Sequence, residues 1–267
     1  MLPLIKAAIL GVIQGLTEFL PVSSTAHLLI AGRLIGYDDP GGIFTTMIQL
    51  GSILAVVWLY RAKIVAVVAG LPSKPEARRF VLMVALGTLP LLVAGALFAS
   101  YIRGVLYGNF VVIASAFIVG GIIMLVVERV RPVPDVLTVD ELPTGRAAAV
   151  GAFQALALIP GVSRSGGTIV AAMAMRVDRA AAAEFTFFLA MPAMAAAFAH
   201  DVLEQRGHLG SERALEIAVG FVMAFLASAV VVRPFLNFVR RSGFAPFAWY
   251  RIGLGAALLA ALAAGRL

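Results

Sequence analysis

Apolar runs long enough to cross a bilayer alternate along this chain with short basic loops, and two further runs are interrupted midway by proline beside hydroxyl-bearing residues. A spanning helix needs about 20 mostly apolar residues. Segments 43–60, 80–100 and 109–127 qualify in the first half, and 183–199, 214–232 and 247–265 in the second. The interrupted runs lie at 11–28 and 151–168, where Pro21 and Pro160-Gly161 stop a helix by removing a backbone donor and crowding the preceding turn. They predict re-entrant hairpins over 1–36 and 145–177.

The two interrupted runs are diverged copies of one element. A shift of 140 positions lays Ala7, Ala8, Gly11, Gln14, Leu16, Val22 and Ser23 on Ala147, Ala148, Gly151, Gln154, Leu156, Val162 and Ser163, and a shift of 141 lays Phe44-Thr45 on Phe185-Thr186. In alanine-rich sequence the Gly, Gln and Val-Ser identities carry the weight. The predicted fold is therefore an all-α polytopic membrane protein, one domain over 1–267, with a repeat at about 1–130, a linker at about 131–144 and a second repeat at about 145–267. Each half reads as a hairpin followed by three crossings, six in total. An odd number of crossings turns the second copy upside down, the inverted-repeat plan in which broken helices meet near the midplane. The alternative is that each interrupted run spans as one kinked helix, giving eight crossings.

Composition agrees: 61% hydrophobic and 13% charged residues, with a mean hydropathy of +1.00, leave too little polar surface for a soluble core. The net charge of +7 is spread over short loops rather than one face, which argues for membrane topology and against nucleic acid. With six crossings one side collects thirteen Lys and Arg residues, among them Arg61, Lys63, Arg79, Arg146, Arg176 and Arg240. The other collects six: Lys6, Arg33, Arg103, Arg206, Arg213 and Arg266. The first side is predicted cytoplasmic and both termini outside. A cleaved signal peptide over the first residues is disfavoured by Glu18 and by the internal copy. The chain has no cysteine, which excludes disulfide and thiolate chemistry.

Candidate chemistry concentrates in the two interrupted runs. Glu18 stands in apolar company where a carboxylate is costly unless it meets water, a cation or a partner. Gln14, four residues earlier, shares its helical face, so that a plain packing hydrogen bond between the two is the structural alternative. Ser23, Ser24 and Thr25 follow Pro21-Val22 as helix-capping hydroxyls, and the helix start behind them suits an anion. His27 is spaced to approach Ser24 or Ser23, as a base beside a nucleophile or as an interfacial histidine beside a cap. The second run brings Ser163, Arg164, Ser165, Gly166 and Thr168 after Pro160-Gly161, a helix start with hydroxyls, close-approach glycines and a guanidinium suited to phosphate. The structural alternative for Arg164 is a pairing with Glu18 across the repeat, which substrate could replace. Arg251 reads as a snorkelling anchor.

Gln14-x-x-x-Glu18 leading into Pro21-Val-Ser-Ser-Thr-x-His27, together with Pro160-Gly-x-Ser-Arg-Ser-Gly166, resembles the undecaprenyl-pyrophosphate phosphatase family linked to bacitracin resistance, over essentially the whole chain. The resemblance implies hydrolysis of undecaprenyl pyrophosphate to the monophosphate and phosphate, recycling the carrier for peptidoglycan in the bacterial cytoplasmic membrane. It also implies a divalent cation, usually Mg2+ or Ca2+, near Glu18. Gln14 stands where many members carry glutamate. The acid-phosphatase type of lipid phosphatase is excluded, because Val170 stands where that class needs histidine. The layout suggests Ser24 as nucleophile, His27 for the proton, Arg164 for phosphate charge and Glu18 for the cation. Gln14, Ser23, Thr25, Ser163, Ser165, Gly166 and Thr168 then line the substrate, and the site opens outward. Expected partners are a polyprenyl pyrophosphate and membrane lipids, with a homodimer left open. The competing class is an inverted-repeat transporter or flippase for a lipid phosphate or other anion.

Overall fold

In a computed structural model, which describes residues 3–39, 42–106, 108–204 and 213–265, the chain is a helical membrane protein with no β-sheet among the described residues. The first half runs α1 (Pro3–Thr17), α2 (Ser24–Ile35), α3 (Ile43–Leu59), α4 (Arg61–Gly70), α5 (Pro75–Tyr101) and α6 (Phe110–Val130). The second half runs α7 (Thr144–Gln154), α8 (Arg164–Ala174), α9 (Arg179–Glu204), α10 (Ala214–Ser242) and α11 (Ala245–Ala263). Arg206 and Arg266 of the charge tally lie outside the described residues, as does the side chain of Arg103.

Among the described residues five helices are long and apolar enough to cross a membrane: α5, α6, α9, α10 and α11. The sixth expected crossing, 43–60, is one arm of a broken element. α3 meets α4 at a 72° bend, and only together do they reach spanning length. The break follows from charge: Arg61 and Lys63 end the apolar run, and Lys63 Nζ reaches Asp140 at 2.8 Å.

Both interrupted runs are broken helices. α1 stops at Thr17 and α2 restarts at Ser24, while α7 gives way at Ala155–Leu158 to a tighter 3-10 turn before α8 restarts at Arg164. At 1.5 Å per residue, arms of 11 to 15 residues are too short to cross about 30 Å of hydrocarbon. Ser23 and Ser163, which precede α2 and α8, both adopt left-handed backbone, with φ of 67° and 74°. Non-glycine residues take this conformation only where surrounding contacts impose it.

The repeated glycines seat these arms. α1 packs on α10 and α7 on α5. A Cβ at Gly11 would lie 2.3 Å from the Gly220 carbonyl oxygen, and one at Gly151 would lie 2.2 Å from that of Gly87. Such backbone approach is how membrane helices associate without a hydrophobic driving force. α9 takes the centre: 61% of its apolar window is buried, against 17–28% for the other four spans. Its Ala180–Ala183 run lets neighbours close in, and Phe185, Phe187 and Leu189 fill the core beside Phe19.

The segment joining the halves is folded rather than slack. Val136, Val139 and Leu142 are buried in the main core, Asp135 and Val136 donate backbone hydrogen bonds to Arg176, and Asp178 returns one to Val136. Arg146 bonds the Asp135 carboxylate and, with Arg176 nearby, holds its pKa below the usual range. A depressed folded value means this pairing supports the fold at neutral pH, and the support is lost as pH falls through that value.

Substituting Gly11 or Gly151 by valine should therefore lower stability in detergent by about 1–3 kcal/mol, the usual cost of overpacking, read as a fall in thermal midpoint. Gly253→Ala, where nothing lies within 4 Å, is the neutral control.

Candidate active site

The turn after α1 places Glu18 almost fully out of solvent, 7% exposed, and its carboxylate is ringed by donors. Gln14 Nε2 donates to Oε2 at 2.7 Å, a consequence of the i, i+4 spacing. Ser24 Oγ, at the first position of α2, donates to the same oxygen at 2.6 Å. Arg164 Nη2, from the start of α8, meets Oε1 at 2.5 Å. Gln14 on α1, Ser24 on α2 and Arg164 on the other hairpin thus share one carboxylate. Two buried atoms at this cluster have no partner: Gln14 Oε1 and Arg164 Nη1. One is an acceptor beside a carboxylate and the other a cationic donor, so the cluster can take a cation and an anion side by side.

His27 does not join it. Its Nδ1 lies 2.8 Å from the Ser23 carbonyl oxygen and its Nε2 2.7 Å from the Tyr250 hydroxyl on α11. The expected approach to a serine hydroxyl is replaced by these two contacts, and the Ser23 carbonyl also accepts the His27 backbone N–H at 3.2 Å. Ser24 turns to Glu18 instead. Thr25 lies off the cluster and lines a cavity of about 160 Å³ with Leu28, Arg33, Phe44 and Thr45.

The hydroxyls of the second hairpin all have protein partners. Ser163 Oγ caps α8 by accepting from the Gly166 N–H at 3.1 Å and lies 3.1 Å from Ser165 Oγ, which donates to the Leu20 carbonyl at 2.7 Å. Thr168 Oγ1 donates to the Arg164 carbonyl at 2.8 Å. A Cβ on Gly166 would meet Arg251 and Ser163 at 3.3 Å. In this geometry Arg164 alone carries the second hairpin's charge across to the first. At the matching place Ser23 makes no side-chain cap, so the start of α2 is the more open of the two helix ends.

Arg251 lies where the snorkelling expectation did not put it. It is 1% exposed rather than snorkelling. Nη1 donates to the carbonyls of Pro21 at 3.1 Å and Val162 at 3.0 Å, and Nη2 to those of Ala116 at 3.0 Å and Gly161 at 2.9 Å. One guanidinium so pins both broken turns and α6, supplying donors to carbonyls that the breaks leave unpaired inside the membrane. The available signal was a pair of helix breaks needing donors, but one sequence does not say which arginine supplies them.

Among the described residues no three or more His, Cys, Asp or Glu side chains converge as a metal site. The oxygens present nevertheless fit a hard cation that binds through one carboxylate and completes its shell from substrate phosphate and water. Glu18 supplies the carboxylate, and the unpartnered Gln14 Oε1 supplies a neutral oxygen beside it.

Fold and site together define a polytopic helical membrane protein whose polar centre forms where two broken helices meet. The chain belongs to the family described as bacitracin resistance protein BacA, which matches residues 7–257. It is 48% identical over 259 residues to undecaprenyl-diphosphatase 1 of Agrobacterium fabrum, covering 97% of each chain. It is likewise 48% identical to an undecaprenyl-diphosphatase of Cereibacter sphaeroides, over 97% of each, and 46% identical to that of Paracoccus denitrificans, over 98% of each.

Removing the clamp should be costly. Arg251→Met leaves the Pro21, Gly161 and Val162 carbonyls without their donor and should destabilise the protein by on the order of 3 kcal/mol. Arg251→Lys, with one ammonium for four carbonyls, should fall between it and wild type in thermal midpoint.

Proposed function

We propose that this protein hydrolyses undecaprenyl pyrophosphate to undecaprenyl phosphate and inorganic phosphate, as the names of its relatives state for them, and so returns the lipid carrier for cell-wall polymer synthesis with bacitracin resistance as a consequence. The observation that carries the reading is the Ser24–Glu18–Arg164 cluster, a hydroxyl donating to a buried carboxylate whose other oxygen is held by a guanidinium with a free N–H.

The geometry supports this sequence of steps. Ser24 Oγ attacks the terminal phosphorus while its proton passes to Glu18 Oε2, 2.6 Å away. The bond to the bridging oxygen breaks, and undecaprenyl phosphate leaves with the electron pair. Arg164 Nη1 and the open first turn of α2 hold the charge on the phosphoryl oxygens. Water then attacks the phosphoserine and gives its proton to His27, one helical turn from Ser24. Inorganic phosphate departs as Ser24 recovers its proton from Glu18. A divalent cation, Mg2+ or Ca2+, held by Glu18 and Gln14 would offset the negative charge of the pyrophosphate. Ser163, Ser165 and Thr168 support the phosphate pocket indirectly, by holding the turn and helix start from which Arg164 reaches it.

An inverted repeat in the bacterial cytoplasmic membrane, with termini and site facing outward, accounts for the arrangement. Gly11 and Gly151 seat equivalent arms, Gln14 and Gln154 are both fully buried, and Ser23 and Ser163 share one unusual backbone state. The charge sets also gather as the topology requires. Lys63, Arg79, Arg146, Arg176 and Arg179 meet the acidic residues Glu128, Asp135 and Asp140 at one end, and Lys6 and Arg213 meet residues 36–38 at the other.

Phosphate release from undecaprenyl pyrophosphate by purified protein tests the reading. Wild type should be active with Mg2+ or Ca2+ and silenced by chelator, and Ser24→Ala should lose about 100-fold or more in kcat together with any trapped phosphoenzyme. Undiminished turnover in Ser24→Ala would overturn the nucleophile. Substrate movement across vesicles without phosphate release would instead favour a transporter.

A further inference from the structure

The imidazole of His27 is tethered at both nitrogens. The Ser23 carbonyl, 2.8 Å from Nδ1, can only accept, so the hydrogen of the neutral ring sits on Nδ1 and leaves Nε2 as the basic nitrogen. At Nε2 the partner is the Tyr250 hydroxyl, 2.7 Å away and able to donate. The two rings lie 10° from parallel with centroids 5.7 Å apart, and Phe117 meets the imidazole edge-on at 5.8 Å. Tyr250 precedes Arg251 on α11, so adjacent residues of one helix fix the imidazole and the two broken turns.

We propose that Tyr250 is a positioning residue for His27: with the Nδ1–H tautomer set by the Ser23 carbonyl, its hydroxyl holds the ring so that Nε2 faces the place that a donating water takes when phosphoserine is hydrolysed. This assignment rests on the hydrolase reading given above. Without the hydroxyl the ring keeps only its Ser23 tether, and Nε2 is free to turn away. A turned ring has no lone pair where the proton must be received, and orientation of this kind is a large part of a general base's effect. Tyr250 is half exposed and makes no other hydrogen bond that would give it a packing task of equal weight among the described contacts.

The test compares full-length wild type, Tyr250→Phe, His27→Asn and the double variant in detergent, using undecaprenyl pyrophosphate and reading kcat and KM separately. Ring 15N spectra are recorded in a background with His200 and His208 replaced by glutamine, so that His27 alone reports. Tyr250→Phe should lower kcat about tenfold with KM unchanged, cause no further loss in His27→Asn, and shift the Nε2 resonance as its hydrogen bond is lost while the ring stays the Nδ1–H tautomer. Unchanged kcat with an unchanged ring signature would overturn the proposal, as would an equal loss in the His27→Asn background, which marks a structural role. Well-folded wild type that releases no phosphate would instead overturn the hydrolase reading and His27's task with it, while the ring spectrum separately shows whether the Tyr250 tether exists.

Discussion

A carboxylate and a guanidinium placed inside a bilayer must find each other or water, because neither tolerates hydrocarbon alone. Glu18 and Arg164 stand 146 positions apart in the chain and meet at 2.5 Å. Their meeting fixes where the two broken helices come together, and most of the remaining polar structure supports it. Arg251 satisfies the carbonyls that the breaks expose, Ser165 ties its own turn to Leu20, and Gly11 and Gly151 let α1 and α7 sit close enough on α10 and α5 for the turns to touch. A buried ion pair is weak evidence for stability, since desolvation can exceed the Coulombic gain. What the structure shows is a carboxylate that holds the guanidinium and the serine hydroxyl in fixed positions, the arrangement on which the proposed phosphate chemistry rests.

The two hairpins divide the work unequally. The second closes its own helix end with Ser163 and commits its hydroxyls to protein partners, so its contribution reaches the site through Arg164. The first leaves the start of α2 without a side-chain cap and carries Glu18, Ser24 and His27. The two serines share a left-handed backbone, yet only Ser163 closes its helix end with a side-chain cap. The strain at such positions persists because surrounding contacts impose it, as expected near a functional site.

Much of this was legible in the sequence. Apolar runs marked the long helices, Pro21 and Pro160-Gly161 marked the breaks, and the cost of lone charges marked Glu18 and Arg164 as partners. The break at Tyr60 was not legible, because the run 43–60 has spanning length and its direction is set by where Lys63 finds Asp140. For His27 the spacing left two partners open, and its actual contacts, the Ser23 carbonyl and the distant Tyr250 hydroxyl, needed coordinates. Arg251 and the folded linker were missed for a common reason: their partners are backbone carbonyls or residues far along the chain, and neither leaves a local pattern. Gln14 was legible as Glu18's neighbour, whereas its unpartnered oxygen needed coordinates.

The claim at the centre is that Glu18 and Arg164 act as one unit across the two hairpins. A double-mutant cycle on phosphate release from undecaprenyl pyrophosphate, using Glu18→Gln, Arg164→Gln and both together, measures that directly. Groups that act together should be strongly non-additive, the double variant being hardly slower than the worse single one. Losses that simply multiply, in variants that keep the wild-type thermal midpoint, would contradict the account.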